Sequence, residues 1–115
     1  MKKTIKVFEI IGEPLCAAHD DGQAVFNVIR QEILNGIQLE ISFEGIELII
    51  SAFLNVAIGQ LYGEFSEEKI DNEISYAHLE EDDKELLNLV IANAKRYYRN
   101  QENYDIATKE VLEYA

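Results

Sequence analysis

The sequence predicts an α/β domain, because segments of two different hydrophobic periodicities alternate along its 115 residues. In residues 37–44 apolar and polar side chains alternate strictly, which is typical of a strand with one buried face. On either side, apolar residues recur every three to four positions, which is typical of amphipathic helices. The length predicts a single domain, and 48% apolar with 28% charged residues is the composition of an ordinary folded protein.

The first part of the chain is predicted to contain two strands separated by a helix. Residues 5–9 alternate in polarity and favour a first strand, or a hairpin with the short segment 15–18. Acidic cap-type residues and a later Asn-Gly pair bound a helix over residues 22–35. The alternating residues 37–44 form the next strand, which Gly45 ends.

The second part is predicted to add two helices around a short strand. After a short strand or turn, a helix begins at Ser51 and carries apolar residues at helical spacing as far as Phe65. Residues 74–77 favour a strand. Carboxylates at 80–83 suit the first turn of the next helix, because the helix dipole favours negative charge there.

A C-terminal segment extends beyond this predicted core. Residues 1–99 are assigned to the domain, and residues 100–115 to a helical extension. Apolar residues in the extension allow two arrangements that the sequence leaves open. The segment packs on the same domain, or it docks on a partner.

The charge of the chain narrows its range of partners. Ten Lys and Arg against 22 Asp and Glu give a net charge of −12, which repels nucleic-acid backbones and anionic membrane surfaces. Residues 64–85 hold −8 of this charge, whereas residues 48–63 carry none. The uncharged run is too short to cross a bilayer, and a single cysteine gives no disulfide framework. We therefore expect a cytoplasmic protein whose partners are proteins.

Cys16 and His19 are the first candidates for chemistry, as a nucleophile with its base or as half of a metal site. A zinc site needs three or four ligands, and the other histidine, His78, stands far away in sequence with no second cysteine. A small buried hydrophobic residue is the stronger interpretation of Cys16. The carboxylates of residues 64–85 lack the ligand order of a calcium loop, and a solvated face explains them better.

Two further patterns have ordinary structural explanations. Gly59 and Gly63 stand four residues apart and permit close approach of the sheet or of a partner helix, with the sheet as the favoured neighbour. Neither a phosphate-binding glycine loop nor a nucleophile elbow occurs. The sequence thus predicts no catalytic residue, no metal site, no cofactor and no enzymatic activity.

Ser51 is the polar residue with two competing interpretations. It stands between apolar residues at the predicted turn from strand to helix, where its hydroxyl would cap the helix by accepting a backbone N–H. An exposed hydroxyl in the same place would also accept a phosphoryl group, which adds up to about two negative charges. Both interpretations place Ser51 at the start of the helix.

The residues around Ser51 resemble a known family. Residues 39–55, LEISFEGIELIISAFLN, are similar to the strand, turn and helix of STAS-like domains, a family related to bacterial anti-sigma factor antagonists with an uncharacterised branch. Residues 86–98, LLNLVIANAKRYY, also look typical of that branch, so the resemblance extends over residues 22–98. It implies a small mixed sheet of four to five strands with three to four helices packed against it.

The resemblance also implies a role in bacterial signalling through protein binding. Typical partners of the antagonists are ATP-binding kinases of the histidine-kinase-like fold, which phosphorylate a serine that opens the helix. Ser51 falls on that serine. Ile50 replaces the aspartate that precedes it in the antagonists, and Ala52 and Phe53 replace a serine and a glycine, so recognition by a kinase is expected to differ or to be lost.

Two functional hypotheses follow. In the first, the chain is a regulatory binding module in which Ser51 is the phosphoacceptor and the contact residues are Ala52, Asn55, Gln60 and Tyr62. In the second, it is a constitutive structural subunit of a bacterial stress or phage-defence complex. A homodimer is compatible with either hypothesis, because the same apolar faces serve packing within and between chains.

Overall fold

A computed structural model gives the architecture, and it describes residues 2–114, with side-chain surroundings for residues 2–100. In chain order the elements are β1 (Lys2–Lys6), α1 (Val7–Ile11), β2 (Leu15–Cys16), α2 (His19–Leu34), β3 (Gln38–Ser42), β4 (Leu48–Ile49), α3 (Ser51–Leu54), a π-helical segment (Asn55–Gly59), α4 (Leu61–Glu64), α5 (Glu67–Glu73), β5 (Ile74–Ala77) and α6 (Glu81–Tyr114). The predicted α/β class is confirmed.

The five strands form two small sheets. One sheet has the order β1-β3-β5 and the other pairs β2 with β4. Within the described part of the chain all three pairings are parallel, with Ile5 opposite Ile41 and Ile41 opposite Tyr76. The expected single mixed sheet of four to five strands is therefore replaced by a three-stranded sheet and a two-stranded ribbon. Helices form the crossovers that parallel pairing requires.

The first strand begins and ends earlier than predicted. Residues after Lys6 leave the strand and form α1, whose end is marked by Gly12 with a φ of 74° and an N–H that donates to the carbonyl of Phe8. Val7 is completely buried, and Ile10 and Ile11 pack against the core. Spacings of three and four residues fit a helix, whereas the alternation from Ile5 to Glu9 suggested a strand.

The predicted helix over residues 22–35 is confirmed with an earlier start. α2 begins at His19, so Gly22 lies inside the helix and not at its cap. A Cβ at Gly22 would lie 3.1 Å from Cβ of Val56 and 3.2 Å from the carbonyl oxygen of Phe53. The glycine lets α2 approach the helix that follows Ser51.

The helix after Ser51 contains a π-helical segment. The N–H of Gln60 donates to the carbonyl oxygen of Asn55, five residues earlier, over 3.1 Å. The buried residues Phe53, Leu54 and Ile58 fix α3 and this segment in the core. Nothing in the hydrophobic pattern indicated the wider turn, since it shifts the apolar face by a fraction of a turn only. Such segments occur frequently at functional sites.

The two glycines of this helix face α6, and not the sheet as predicted. A Cβ on Gly63 would lie 2.5 Å from Cε1 of Tyr98, and one on Gly59 would lie 3.7 Å from Cβ of Ala94. Both contacts advance by four residues on each helix, so α3–α4 and α6 run parallel to each other. The close approach is therefore between two helices of the same chain.

The acidic region contains α5, a helix that the sequence pattern did not indicate. α5 begins after Ser66, whose hydroxyl accepts the N–H of Lys69 over 3.1 Å. The strand predicted over residues 74–77 is confirmed as β5. α6 begins at Glu81 as predicted and continues through Asn100 to Tyr114, without the separate terminal helix. Whether residues 100–115 pack or dock depends on side chains outside the described ones and stays a prediction.

Candidate functional site

Ser51 lies where the sequence placed it, at the first residue of α3 and exposed to solvent. Its expected role as the helix cap is wrong, however. The cap is Ile50, whose backbone is extended with a φ of −105°, and no side chain caps the helix. Among the described residues no hydrogen bond of the Ser51 hydroxyl is found. The Ser51 hydroxyl therefore has no role in capping α3.

An apolar surface adjoins this turn. Leu15 in β2 and Leu48 in β4 are direct partners in the parallel ribbon, and 42% and 48% of these residues are exposed. Their neighbours Cys16 and Ile49 point the opposite way and are buried. We call Leu15 and Leu48 the ribbon patch. Sequence reasoning missed it, because β2 and β4 have only two residues each and the pairing joins segments 33 positions apart.

The electrostatic surroundings of the ribbon patch are acidic. Residues 7–63 contain eight carboxylates and a single cation, Arg30, which already pairs with Glu64. Glu13 and Glu47 are exposed beside the ribbon, where the N–H of Glu47 donates to the carbonyl oxygen of Pro14 over 2.8 Å. An apolar patch with an acidic border is complementary to a partner with apolar and basic side chains.

The predicted contact residues separate into exposed and buried positions. Ala52 and Asn55 are exposed on α3 and the π-helical segment, on the same helix as Ser51. Gln60 is half-buried, and its amide donates to the carbonyl oxygen of Val56 over 2.8 Å. Tyr62 is only 7% exposed, which rules it out as a surface contact and corrects that prediction.

Comparison with known protein families identifies the fold around this turn. A family model described as a STAS-like domain of unknown function (DUF4325) matches residues 21–84, more than half of the chain. The chain belongs to this family. The match includes Ser51, Ala52, Asn55 and Leu48, whereas β1, α1, β2 and most of α6 lie outside it. No curated protein and no solved structure matches the chain significantly.

Tyr62 belongs to a polar network inside this STAS-like domain. Its hydroxyl donates to Oδ1 of Asp71 over 2.9 Å, and Lys95 donates to Oδ2 of Asp71 over 2.7 Å. The Lys95 ammonium lies 5.6 Å from the centre of the Tyr62 ring. Burial, followed by the hydrogen bond to Asp71, raises the pKa of Tyr62. One turn further along α6, Arg99 pairs with Glu67. The network ties α4, α5 and α6 together.

Cys16 and His19 do not form a reactive pair. Cys16 is completely buried, and burial, reinforced by the charges of Asp21, Glu13 and Asp83, raises the pKa of its thiol to about 12. Such a thiol carries almost no thiolate near neutral pH, so it is a poor nucleophile and a poor metal ligand. His19 is exposed beside Asp20. Among the described residues, no three His, Cys, Asp or Glu side chains are placed to hold a metal ion.

A cavity lies at the carboxyl ends of the strands. It has a volume of about 360 Å³ and is lined by Glu44, Ile49, His78 and Asp83 together with neighbouring apolar residues. His78 has a φ of 58°, and its Nε2 lies 4.0 Å from Oε2 of Glu44. Ligands of α/β proteins commonly bind at this edge of a sheet.

Within the described residues, no helix is long and apolar enough to span a membrane.

Proposed function

We propose that the protein is a non-enzymatic regulatory module that binds another protein through the Ser51 turn and the ribbon patch. The observation that carries this proposal is the pairing of two half-exposed leucines, Leu15 and Leu48. Leu48 stands three residues before the exposed Ser51. Apolar side chains at the centre of a contact supply most of its binding energy. Ala52 and Asn55 extend the contact along the helix, and Gln60 lies at its edge.

Phosphorylation of Ser51 is the proposed switch, in analogy to the antagonists that the family resembles. A phosphoserine adds about two negative charges at the border of an apolar contact. Docking would then require desolvation of that charge, and no Lys or Arg between Arg30 and Lys69 is present in the sequence to pair with it. Phosphorylation therefore releases the partner.

The proposed partner is a bacterial ATP-binding protein of the histidine-kinase-like fold, which would itself supply the phosphoryl group. The transfer forms a bond between Ser51 Oγ and the γ-phosphorus of ATP, breaks the bond to the β-phosphate oxygen, and releases ADP and a proton. The acidic border around the ribbon patch favours a partner whose contact has basic residues at its rim. Nucleic acid and membranes are not expected as partners, and the proposed compartment is the cytoplasm.

Mass spectrometry of the protein isolated from its native host tests the switch. We expect an increment of one phosphoryl group that Ser51→Ala removes and Ser66→Ala keeps. Ser66 is the matched control because it is exposed at the start of α5, where its hydroxyl caps that helix. An unmodified protein under all growth conditions, or modification of Ser66 in place of Ser51, contradicts the switch.

The contact itself is tested separately from the switch. Leu48→Lys should weaken binding of the co-purified partner at least tenfold, because it places a charge in the apolar centre, whereas Leu34→Lys on the exposed end of α2 should not. Binding should also weaken as salt rises, since an acidic border attracts a basic rim. Equal binding by both variants contradicts the proposed surface.

A structural subunit is the second candidate function, because α6 continues to Tyr114, well beyond the family match. Deletion of residues 100–115 separates the two functions. Loss of partner binding with unchanged thermal unfolding supports a subunit that docks through its C-terminal segment. Retained binding supports the Ser51 surface, and a loss of stability assigns the segment to the folded core.

A further inference from the structure

An open groove of about 480 Å³ lies between the helix that follows Ser51 and α6. Beside Ala94 and Tyr98, three carboxamides, a guanidinium, a tyrosine ring and a glycine line this amide groove: Asn55, Asn93, Asn100, Arg96, Tyr97 and Gly59. Tyr97 is 59% exposed. We propose that the amide groove binds an extended peptide segment with a central carboxylate, supplied by the partner protein, and this inference rests on the proposed protein-binding function.

Gly59 is a buried residue in the wall of the groove. A Cβ there would make an ordinary 3.7 Å contact with Ala94, so alanine would fit without a clash. Gly59 does not have a positive φ, unlike Gly12, Gly36 and Gly45. Glycine in a helix nonetheless destabilises it by about 0.5–1 kcal/mol relative to alanine. Neither a clash nor a positive φ therefore requires glycine at this position of the groove wall.

The spacing of the polar groups fits an extended chain. Asn93, Arg96 and Asn100 lie three and four residues apart, which places them in one row along α6. Seven helical residues span about 10.5 Å, the length of about three residues of extended peptide. Asn55 faces this row from the opposite wall. Carboxamides both donate and accept hydrogen bonds, as peptide groups require.

Arg96 selects the side chain that the peptide carries. The neighbouring cations are already paired, Lys95 with Asp71 and Arg99 with Glu67. Among the described side chains, no carboxylate lies within salt-bridge distance of Arg96. A guanidinium forms two parallel hydrogen bonds with a carboxylate, which gives both affinity and register. A nucleotide is less favoured, because a phosphate brings up to about two negative charges where a carboxylate brings one, against a single arginine on a chain of net charge −12.

Selection of capped hexapeptides from a random library, with the full-length protein as bait, tests the proposal. Enriched peptides should carry Asp or Glu near their centre and should shift the side-chain amide NMR signals of Asn55, Asn93 and Asn100. Arg96→Gln should weaken their binding at least tenfold, and Asn93→Ala severalfold. Gln and Ala are good helix formers, so both variants should keep the fold of α6.

Arg30→Gln is the matched control, since it removes one positive charge outside the groove and should leave peptide binding unchanged. Equal losses in Arg96→Gln and Arg30→Gln, enrichment without acidic residues, or the same amide shifts with AMP and no enriched peptide would overturn the proposal. Peptide binding that persists in Ser51→Asp while Ser51 is never phosphorylated would overturn the switch and leave the groove intact. If Arg96→Gln lost peptide binding but kept partner binding, the partner would bind through the ribbon patch only.

Discussion

The helix pair formed by α3–α4 and α6 is packed differently at two places that lie one helical turn apart. At Gly63 the helices are in tight contact, since any added methyl group would meet the Tyr98 ring. At Gly59, which is buried, the contact with Ala94 is an ordinary one, and the amide groove lies beside it. We call the Gly63 end the closed end and the Gly59 end the open end. The close contact requires a glycine at residue 63 but not at residue 59. A glycine pair in a sequence does not by itself indicate which role applies.

The closed end is reinforced by polar contacts that the open end lacks among its described residues. Tyr62 and Lys95 both bind Asp71, and these bonds join α4 and α6 through α5. Beside the groove, Asn93 and Arg96 have no comparable partner among the described side chains. These bonds at the closed end thus hold the helices in register beside the groove.

The substitution with the largest expected effect on this comparison is Gly63→Ala. It should lower the free energy of unfolding by about 1–3 kcal/mol, because Tyr98 must move to admit the methyl group. Denaturant unfolding measures the loss. In a Tyr98→Ala background the same change should become neutral or stabilising, since the clash is gone. A loss of equal size in both backgrounds contradicts the assigned contact.

Tyr62→Phe should have the next largest effect. The substitution keeps the buried ring but removes the hydroxyl that donates to Asp71, which should lower stability by about 0.5–1.5 kcal/mol. Tyr97→Phe is the control, because that side chain is mostly exposed and should change stability by less than about 0.5 kcal/mol. Equal thermal shifts of the two variants would mean that the closed end does not depend on this bond.

Gly59→Ala should have the smallest effect and the opposite sign. The methyl group finds an ordinary contact with Ala94, and the helix gains about 0.5–1 kcal/mol from the loss of glycine flexibility in the unfolded chain. Chemical unfolding of this variant beside Gly63→Ala provides the sharpest comparison. Destabilisation by Gly59→Ala would show that the two ends are packed alike.

Sequence periodicity predicted the elements whose burial is regular. β3, α2, β5 and the start of α6 appeared as expected, because each buries one face with an undisturbed period. α1 was missed, since five residues give too little of a pattern to separate a helix from a strand. The two-sheet arrangement was also missed, because pairing of Leu15 with Leu48 is decided by tertiary packing and not by local propensity.

The candidate site was predicted less completely. The exposed positions of Ser51, Ala52 and Asn55 follow from the helical pattern. Tyr62 was wrongly expected at the surface, because helical periodicity does not show that α5 supplies Asp71 to bind its hydroxyl in a largely buried position. The amide groove joins residues about 40 positions apart, from the π-helical segment and from α6, and nothing local relates them.

The register of the three-stranded sheet also determines the order in which the protein folds. Lys2 pairs with Gln38, and Leu39 pairs with Ile74, so each pairing closes a loop of about 36 residues. Closing long loops slows folding, whereas helices form from local contacts. During synthesis β3 can pair with β1 before β5 has been made, and the other edge of β3 stays unpaired until β5 follows. Sheet assembly is therefore the late step, and the ribosome delivers its last strand only after residue 77.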